Sequence, residues 1–158
     1  MSGKEVTRDQ INLKLRDIDK EHLESFVIPT MARALRIAQT QAALFVVGSL
    51  ADMANADYRD IDLHIVPYDS RCAALITAAL EKEFVSESRL RTRILRDDEG
   101  ATGILTGVPS FIFGPFGFGV RGVYFDIFTP FAGITRYESR LAEERASGMP
   151  FCVWSENI

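Results

Sequence analysis

The spacing of apolar positions changes several times along the chain, and each change predicts an element. Between His22 and Gln39, the residues Leu23, Phe26, Val27, Met31, Ala34, Leu35 and Ala38 recur near the 3.6-residue period of a helix lying on a core. Ile11, Leu13, Leu15 and Ile18 extend the apolar character upstream with looser spacing. Thr7 to Thr40 therefore reads as helical in two pieces, and Pro29 must start a helix or kink one. Ala42 to Val47 is a short continuous apolar run stopped by Gly48, which predicts a buried strand. Asp60 to Val66 alternates polar and apolar residues, as a strand with one buried face does.

Further along, Asp69 or Ser70 caps a helix reaching about Phe84, with Ala73, Ala74, Leu75, Ala78, Ala79 and Leu80 as its broad apolar face. β character then runs through Arg89–Arg96, Gly103–Gly107 and Phe111–Phe128, the last with a hairpin expected at "GPFG". Arg136 to Ser147 is predicted helical with Gly148 closing it, and "MPFCVWS" forms a last short strand. No repeat, low-complexity tract or linker interrupts this pattern. Residues 1–158 are read as one domain with an N-terminal helical segment at about 7–40.

The segment between the first two strands, "GSLADMANADYRDID", carries the chemistry. It places Asp52, Asp57, Asp60 and Asp62 between two runs that read as core strands. Carboxylates beside apolar strands are unfavourable unless something binds them. Residues two apart share a strand face, so Asp60, Asp62 and His64 point one way while Ile61, Leu63 and Ile65 point into the core. The two carboxylates stand about 7 Å apart along the strand at its usual rise. A divalent cation relieves their repulsion, and hard oxygen donors of this kind suit magnesium or manganese.

In "GVYFDIFTP", Asp126 shares a face with Tyr124 and Phe128 amid apolar residues, and it joins Asp60 and Asp62 if the two strands are neighbours. Gly48 and Ser49, ending a strand, offer backbone N–H groups and a hydroxyl to phosphate oxygens. Asp52 and Asp57 read as turn or helix-start residues. His64 reads as a neighbour of the metals or acceptor, or as a hydrogen-bonded structural histidine. Arg89, Arg91 and Arg93 would line one strand face, either to attract phosphate or to protect an edge strand; Arg121 has the same two readings. Phe111, Phe113, Phe116 and Phe118 read as a base-stacking surface, or as core or oligomer contacts.

Composition narrows the function classes. The 158 residues are 47% hydrophobic and 25% charged, a packed globular balance, and the formal net charge of −4 argues against a broadly basic nucleic-acid surface. No apolar run approaches the roughly 20 residues of a membrane span, and "MSGKEVTRDQ" lacks a signal-peptide core, so no membrane partner and a cytoplasmic location are expected. Cys72 and Cys152 lack metal-ligand spacing and read as reduced, small apolar residues.

In "VVGSLA" (46–51), "RDIDLHIV" (59–66) and "VYFDIF" (123–128) the sequence resembles the nucleotidyltransferase superfamily that includes polymerase beta, particularly its small stand-alone members. The resemblance implies an α/β domain of the α+β kind, with a mixed twisted sheet flanked by helices. It implies that Asp60, Asp62 and Asp126 ligate two Mg²⁺ or Mn²⁺ ions, that Asp126 also helps deprotonate the acceptor, and that Gly48 and Ser49 grip the phosphates. The implied reaction moves a nucleoside monophosphate from an NTP such as ATP to an acceptor hydroxyl on a small molecule, protein or tRNA, releasing pyrophosphate. The alternative is a catalytically degenerate nucleotide-binding or regulatory protein of the same fold, such as a toxin–antitoxin component. Many small members carry a basic residue and a second Gly after the Gly-Ser pair, where this chain has "LADMANAD". Larger members build the acceptor site with a C-terminal helical domain. Here a second copy or partner subunit is expected to complete it, unless the core stands without a recognition part.

Overall fold

A computed structural model describes residues 4–96, 102–109, 124–130 and 136–158. The helical region begins with α1 (Arg8–Lys14), started by a capping box in which Thr7 Oγ1 accepts from the Gln10 N–H and the Gln10 side chain accepts from the Thr7 N–H. Extended backbone at Leu15 and Arg16 turns the chain into α2 (Asp17–His22), which continues through a wider π turn at Leu23–Val27 into α3 (Ile28–Ala38). Pro29 falls in the first turn of α3, directly after the wider π turn, within one continuous helical run.

The strands are β1 (Ala42–Val47), β2 (Ile61–Pro67), β3 (Arg91–Arg96), β4 (Thr102–Gly107), β5 (Phe125–Phe128) and β6 (Phe151–Ser155). Between β2 and β3, Ser70–Cys72 forms a single 3-10 turn capped by Asp69, and α4 (Ala73–Ser86) follows. After β5 comes α5 (Tyr137–Ser147), closed by Gly148 at φ 74°. The β character expected from Phe111 onward reaches the described residues only as β5; the "GPFG" hairpin, Arg121 and Phe111, Phe113, Phe116 and Phe118 lie outside them.

The sheet order is β3-β4-β5-β2-β1-β6. Among the described strands β2 and β5 pair in parallel and the other neighbours are antiparallel, so the sheet is mixed as expected. One face, with Leu44, Val46, Ile61, Leu63, Phe125 and Ile127, packs with Leu23, Met31, Leu35, Leu80 and Phe84 of the helices in the main core. The other face has a smaller cluster of Ala43, Phe45, Val66 and Phe151 covered by Tyr137 and Leu141 of α5, with Phe45 edge-on to Tyr137 at 5.9 Å. Each fully buried Leu, Ile or Phe contributes about 1.5–3 kcal/mol. A one-residue slip of β2 would exchange Ile61 and Leu63 for Asp60 and Asp62 in the main core, so the apolar row fixes which way the carboxylates face.

Candidate active site

Two of the acidic residues, Asp62 and Asp126, lie on the parallel β2–β5 pair. Asp62 on β2 is the register partner of Asp126 on β5, and their flanking residues Ile61, Leu63, Phe125 and Ile127 are all buried on the opposite face. The two carboxylates therefore emerge side by side, on strands about 4.8 Å apart. Asp60 stands just before β2, where the Ile61 N–H donates to the Tyr124 carbonyl (3.0 Å), and the Tyr124 phenol lies near the Asp60 carboxylate. Burial, then the charges of Asp60 and Asp126, push the Asp62 carboxyl up to about 7. Burial and the Asp60 charge also raise Asp126, and the Tyr124 phenol is raised by burial and the neighbouring carboxylates. Among the described residues no ion pair reaches Asp60, Asp62 or Asp126.

As the side chains stand, no group of three or more His, Cys, Asp and Glu among the described residues is arranged to hold a metal ion. The donor chemistry nevertheless fits a hard divalent cation. Half-buried carboxylates on adjacent strand positions raise one another's proton affinity, and a bound dication favours their charged forms instead.

Gly48 follows β1 directly, opposite this pair. Its φ of 72° lies in the left-handed region, and a Cβ there would run into Asp62 Oδ2, with Asp62 Cγ only 3.2 Å away. Backbone conformation and space both require glycine. Gly48–Leu50 forms a single 3-10 turn, continued by N–H bonds from Ala51 to the Gly48 carbonyl (3.1 Å) and from Asp52 to the Ser49 carbonyl (3.3 Å).

Asp52 and Asp57 are structural, in line with their reading as turn residues. Asp52 Oδ1 accepts from the Ala54 N–H (3.1 Å), and Asp57 Oδ1 accepts from the Tyr58 N–H (2.9 Å) and from Arg16 Nη2 (2.5 Å). Arg16 also lies over the Tyr58 ring at 4.2 Å, and the Tyr58 hydroxyl donates to buried Asp19.

Gly48 and Ser49 open on a cleft of about 500 Å³, also lined by Asp52, Asn55, His64 and Arg140. The Arg140 guanidinium, from α5, is held by Glu144 Oε1 on Nε (2.7 Å) and donates from Nη2 to His64 Nδ1 (2.5 Å). The accepting Nδ1 places the imidazole proton on Nε2. Burial first, then Arg140, lowers the His64 pKa to about 3. His64, packed 4.4 Å from the Phe128 ring, is therefore a hydrogen-bonded neutral histidine. Its ring nitrogens are expected to hold constant NMR shifts from pH 8 to pH 5, with the proton on Nε2. A titration midpoint near 6.5 would contradict this.

The arginines of the β3 region divide. Arg89 precedes the strand, pairs with Glu87 (2.8 and 2.9 Å) and lies over Phe26. Arg91 and Arg93 are exposed on edge strand β3; through Leu105 of β4, Arg93 shares the sheet face of Asp126, two strands away. Sequence reasoning missed Lys14 and Arg140, both cations beside the Gly-Ser turn or its cleft. Neither lies in a motif, and no local signal marks them.

The mixed sheet flanked by helices is a nucleotidyltransferase-type fold, the one seen in solved structures similar to the chain. The solved structures similar to it include Cid1, an RNA terminal uridylyl transferase, at 19% identity and TM-score 0.50, with 76% of this chain and 33% of that chain covered. A cytoplasmic RNA terminal U-transferase is similar at 17% identity and TM-score 0.46 over 77% of this chain and 36% of that one. The non-canonical poly(A) polymerase GLD-2, in complex with GLD-3, has 13% identity and TM-score 0.45 over 76% and 37%. The chain thus spans about a third of the length of these proteins. No family model and no curated protein matches the sequence. Among the described residues, no helix is long and apolar enough to cross a membrane.

Proposed function

We propose that the chain is a metal-dependent nucleotidyltransferase, moving a nucleoside monophosphate from an NTP to an acceptor hydroxyl with release of pyrophosphate. The observation that carries this reading is the in-register Asp62–Asp126 pair, with Asp60 on the same side and Gly48 packed against Asp62. Asp60, Asp62 and Asp126 would hold Mg²⁺ or Mn²⁺. When bound, the metal supplies positive charge that stabilises the attacking and leaving oxygens of an in-line displacement.

The residues themselves divide the remaining tasks. Gly48 and Ser49 orient the phosphates with backbone N–H groups and the Ser49 hydroxyl. Asp126 accepts the proton of the acceptor hydroxyl as its oxygen bonds to the α-phosphorus and the bond from that phosphorus to the bridging oxygen breaks. Both electrons of the broken bond leave with pyrophosphate. Arg140, half-buried in the same cleft, is its one cationic lining residue among those described.

Titration calorimetry with each ribonucleoside triphosphate and Mg²⁺, paired with pyrophosphate release in the presence of small hydroxyl compounds, protein or tRNA, tests the proposal. Binding that requires Mg²⁺ and is followed by release is the expected result. Binding with no release for any acceptor would identify a degenerate nucleotide-binding protein, and absence of binding would refute both.

A further inference from the structure

Lys14, at the end of α1, donates from Nζ to the Ser49 carbonyl (2.5 Å) and to the Asp52 carbonyl (2.8 Å). Ser49 lies in the Gly48–Leu50 turn, and Asp52 follows it, its N–H bonded back to the Ser49 carbonyl. The ammonium is partly buried and is shared between these two carbonyls. Two residues on, Arg16 Nη2 bonds Asp57 Oδ1 and the Tyr58 carbonyl (3.1 Å), just upstream of Asp60. Leu15 between them is extended and buried, so Lys14 and Arg16 both reach the same loop.

This corner is itself fixed to the sheet. The Arg8 guanidinium lies 4.4 Å over Trp154 and donates to its carbonyl (3.3 Å), while the Val6 N–H bonds the Phe151 carbonyl (2.8 Å). The N-terminal segment therefore ties β6 to the loop joining the Gly-Ser turn to Asp60. A charged donor shared by two carbonyls is stronger than the turn's own N–H bonds of 3.1 and 3.3 Å.

We propose that Lys14 is a positioning residue, which holds the Gly48–Leu50 turn in the orientation that receives the donor's phosphates; this rests on the nucleotidyltransferase reading above. Where many small members of the superfamily the sequence resembles carry a basic residue after the Gly-Ser pair, this chain has "LADMANAD", and the turn is held from α1. Lys14 touches backbone and is not assigned to the reacting atoms. Its loss is expected to weaken triphosphate binding more than turnover.

The test compares wild type, Lys14→Met and Lys14→Arg by amide hydrogen exchange, melting temperature and calorimetry with Mg²⁺ and either inorganic triphosphate or the four ribonucleoside triphosphates. Lys14→Met should speed exchange at Ala51 and Asp52 and raise Kd and KM for triphosphates about tenfold, the scale of one charged hydrogen bond. The value of kcat should change less than threefold, nucleoside monophosphate binding should be unaltered, and Lys14→Arg should restore most of the loss. Unchanged exchange at the turn would overturn the proposal, as would faster exchange with unchanged triphosphate affinity. If wild type binds no triphosphate, the nucleotidyltransferase reading fails and this proposal with it. If wild type binds and Lys14→Met binds equally well, only this proposal fails.

Discussion

Asp62→Asn is expected to abolish nucleotidyl transfer while making the metal-free protein more stable. On the proposed reading, removing a carboxylate that would hold the metal forfeits several kcal/mol of transition-state stabilisation. At about 1.4 kcal/mol per factor of ten, that is roughly three orders of magnitude in rate.

The stability change has the opposite sign because Asp62 is held up to about 7, against 3.8 unperturbed. Between those values the folded chain holds a proton that the unfolded chain has released, so wild-type stability falls as pH rises through that window. Asparagine has no charge to bury or repel. Discounted for solvent screening of a half-exposed group, the gain at pH 8 is about 1–2 kcal/mol, or roughly 2–8 °C for a chain of this size. The advantage of the variant should vanish near pH 4 and shrink when wild type is saturated with Mg²⁺. Melting curves from pH 4 to pH 8, with and without Mg²⁺, check the sign. A wild type more stable than the variant at pH 8 without metal would refute the electrostatic description of the site.

Gly48→Ala is the second large effect, and Gly148→Ala is its control. Both glycines have positive φ, 72° and 74°, so both substitutions carry the left-handed penalty of about 1–2 kcal/mol. Around Gly148 a Cβ meets nothing within 4 Å, whereas at Gly48 it collides with the Asp62 carboxylate. Gly148→Ala should therefore cost only that backbone strain and leave activity intact. Gly48→Ala should cost more stability and displace both Asp62 and the turn, and a misplacement of about 1 Å suffices for a roughly 10²-fold loss in rate. Equal losses of activity in the two variants would show that Gly48 matters only for its backbone angle.

Local pattern made much of this site legible. Alternation through "RDIDLHIV" put Asp60 and Asp62 on one face, opposite Ile61 and Leu63, because strand side chains alternate whatever the neighbouring strands are. Gly48 and Ser49 were marked by the abrupt end of an apolar run. Asp126 was recognisable as a carboxylate in an apolar strand, but its place beside Asp62 depends on which strand neighbours β2, a pairing between residues more than sixty positions apart. The segment "LADMANAD", with Asp52 in it, takes on a different meaning in the fold. The Asp52 carboxylate closes a local turn, while the nearby cation comes from Lys14, 38 residues away.

The sequence by itself determined the periods: the helical stripe of α3, the buried run of β1, the one-sided carboxylates of β2 and the glycine after β1. These follow from residue type and spacing of two or three to four residues, which local backbone geometry converts directly into faces. Only the tertiary structure decided the parallel partner of β2, the hold of Lys14 and Arg16 on the loop before Asp60, and the Arg140–His64 bond across 76 residues. Such contacts join elements that local periodicity does not relate. Their charged groups settle where burial of the apolar faces carries them.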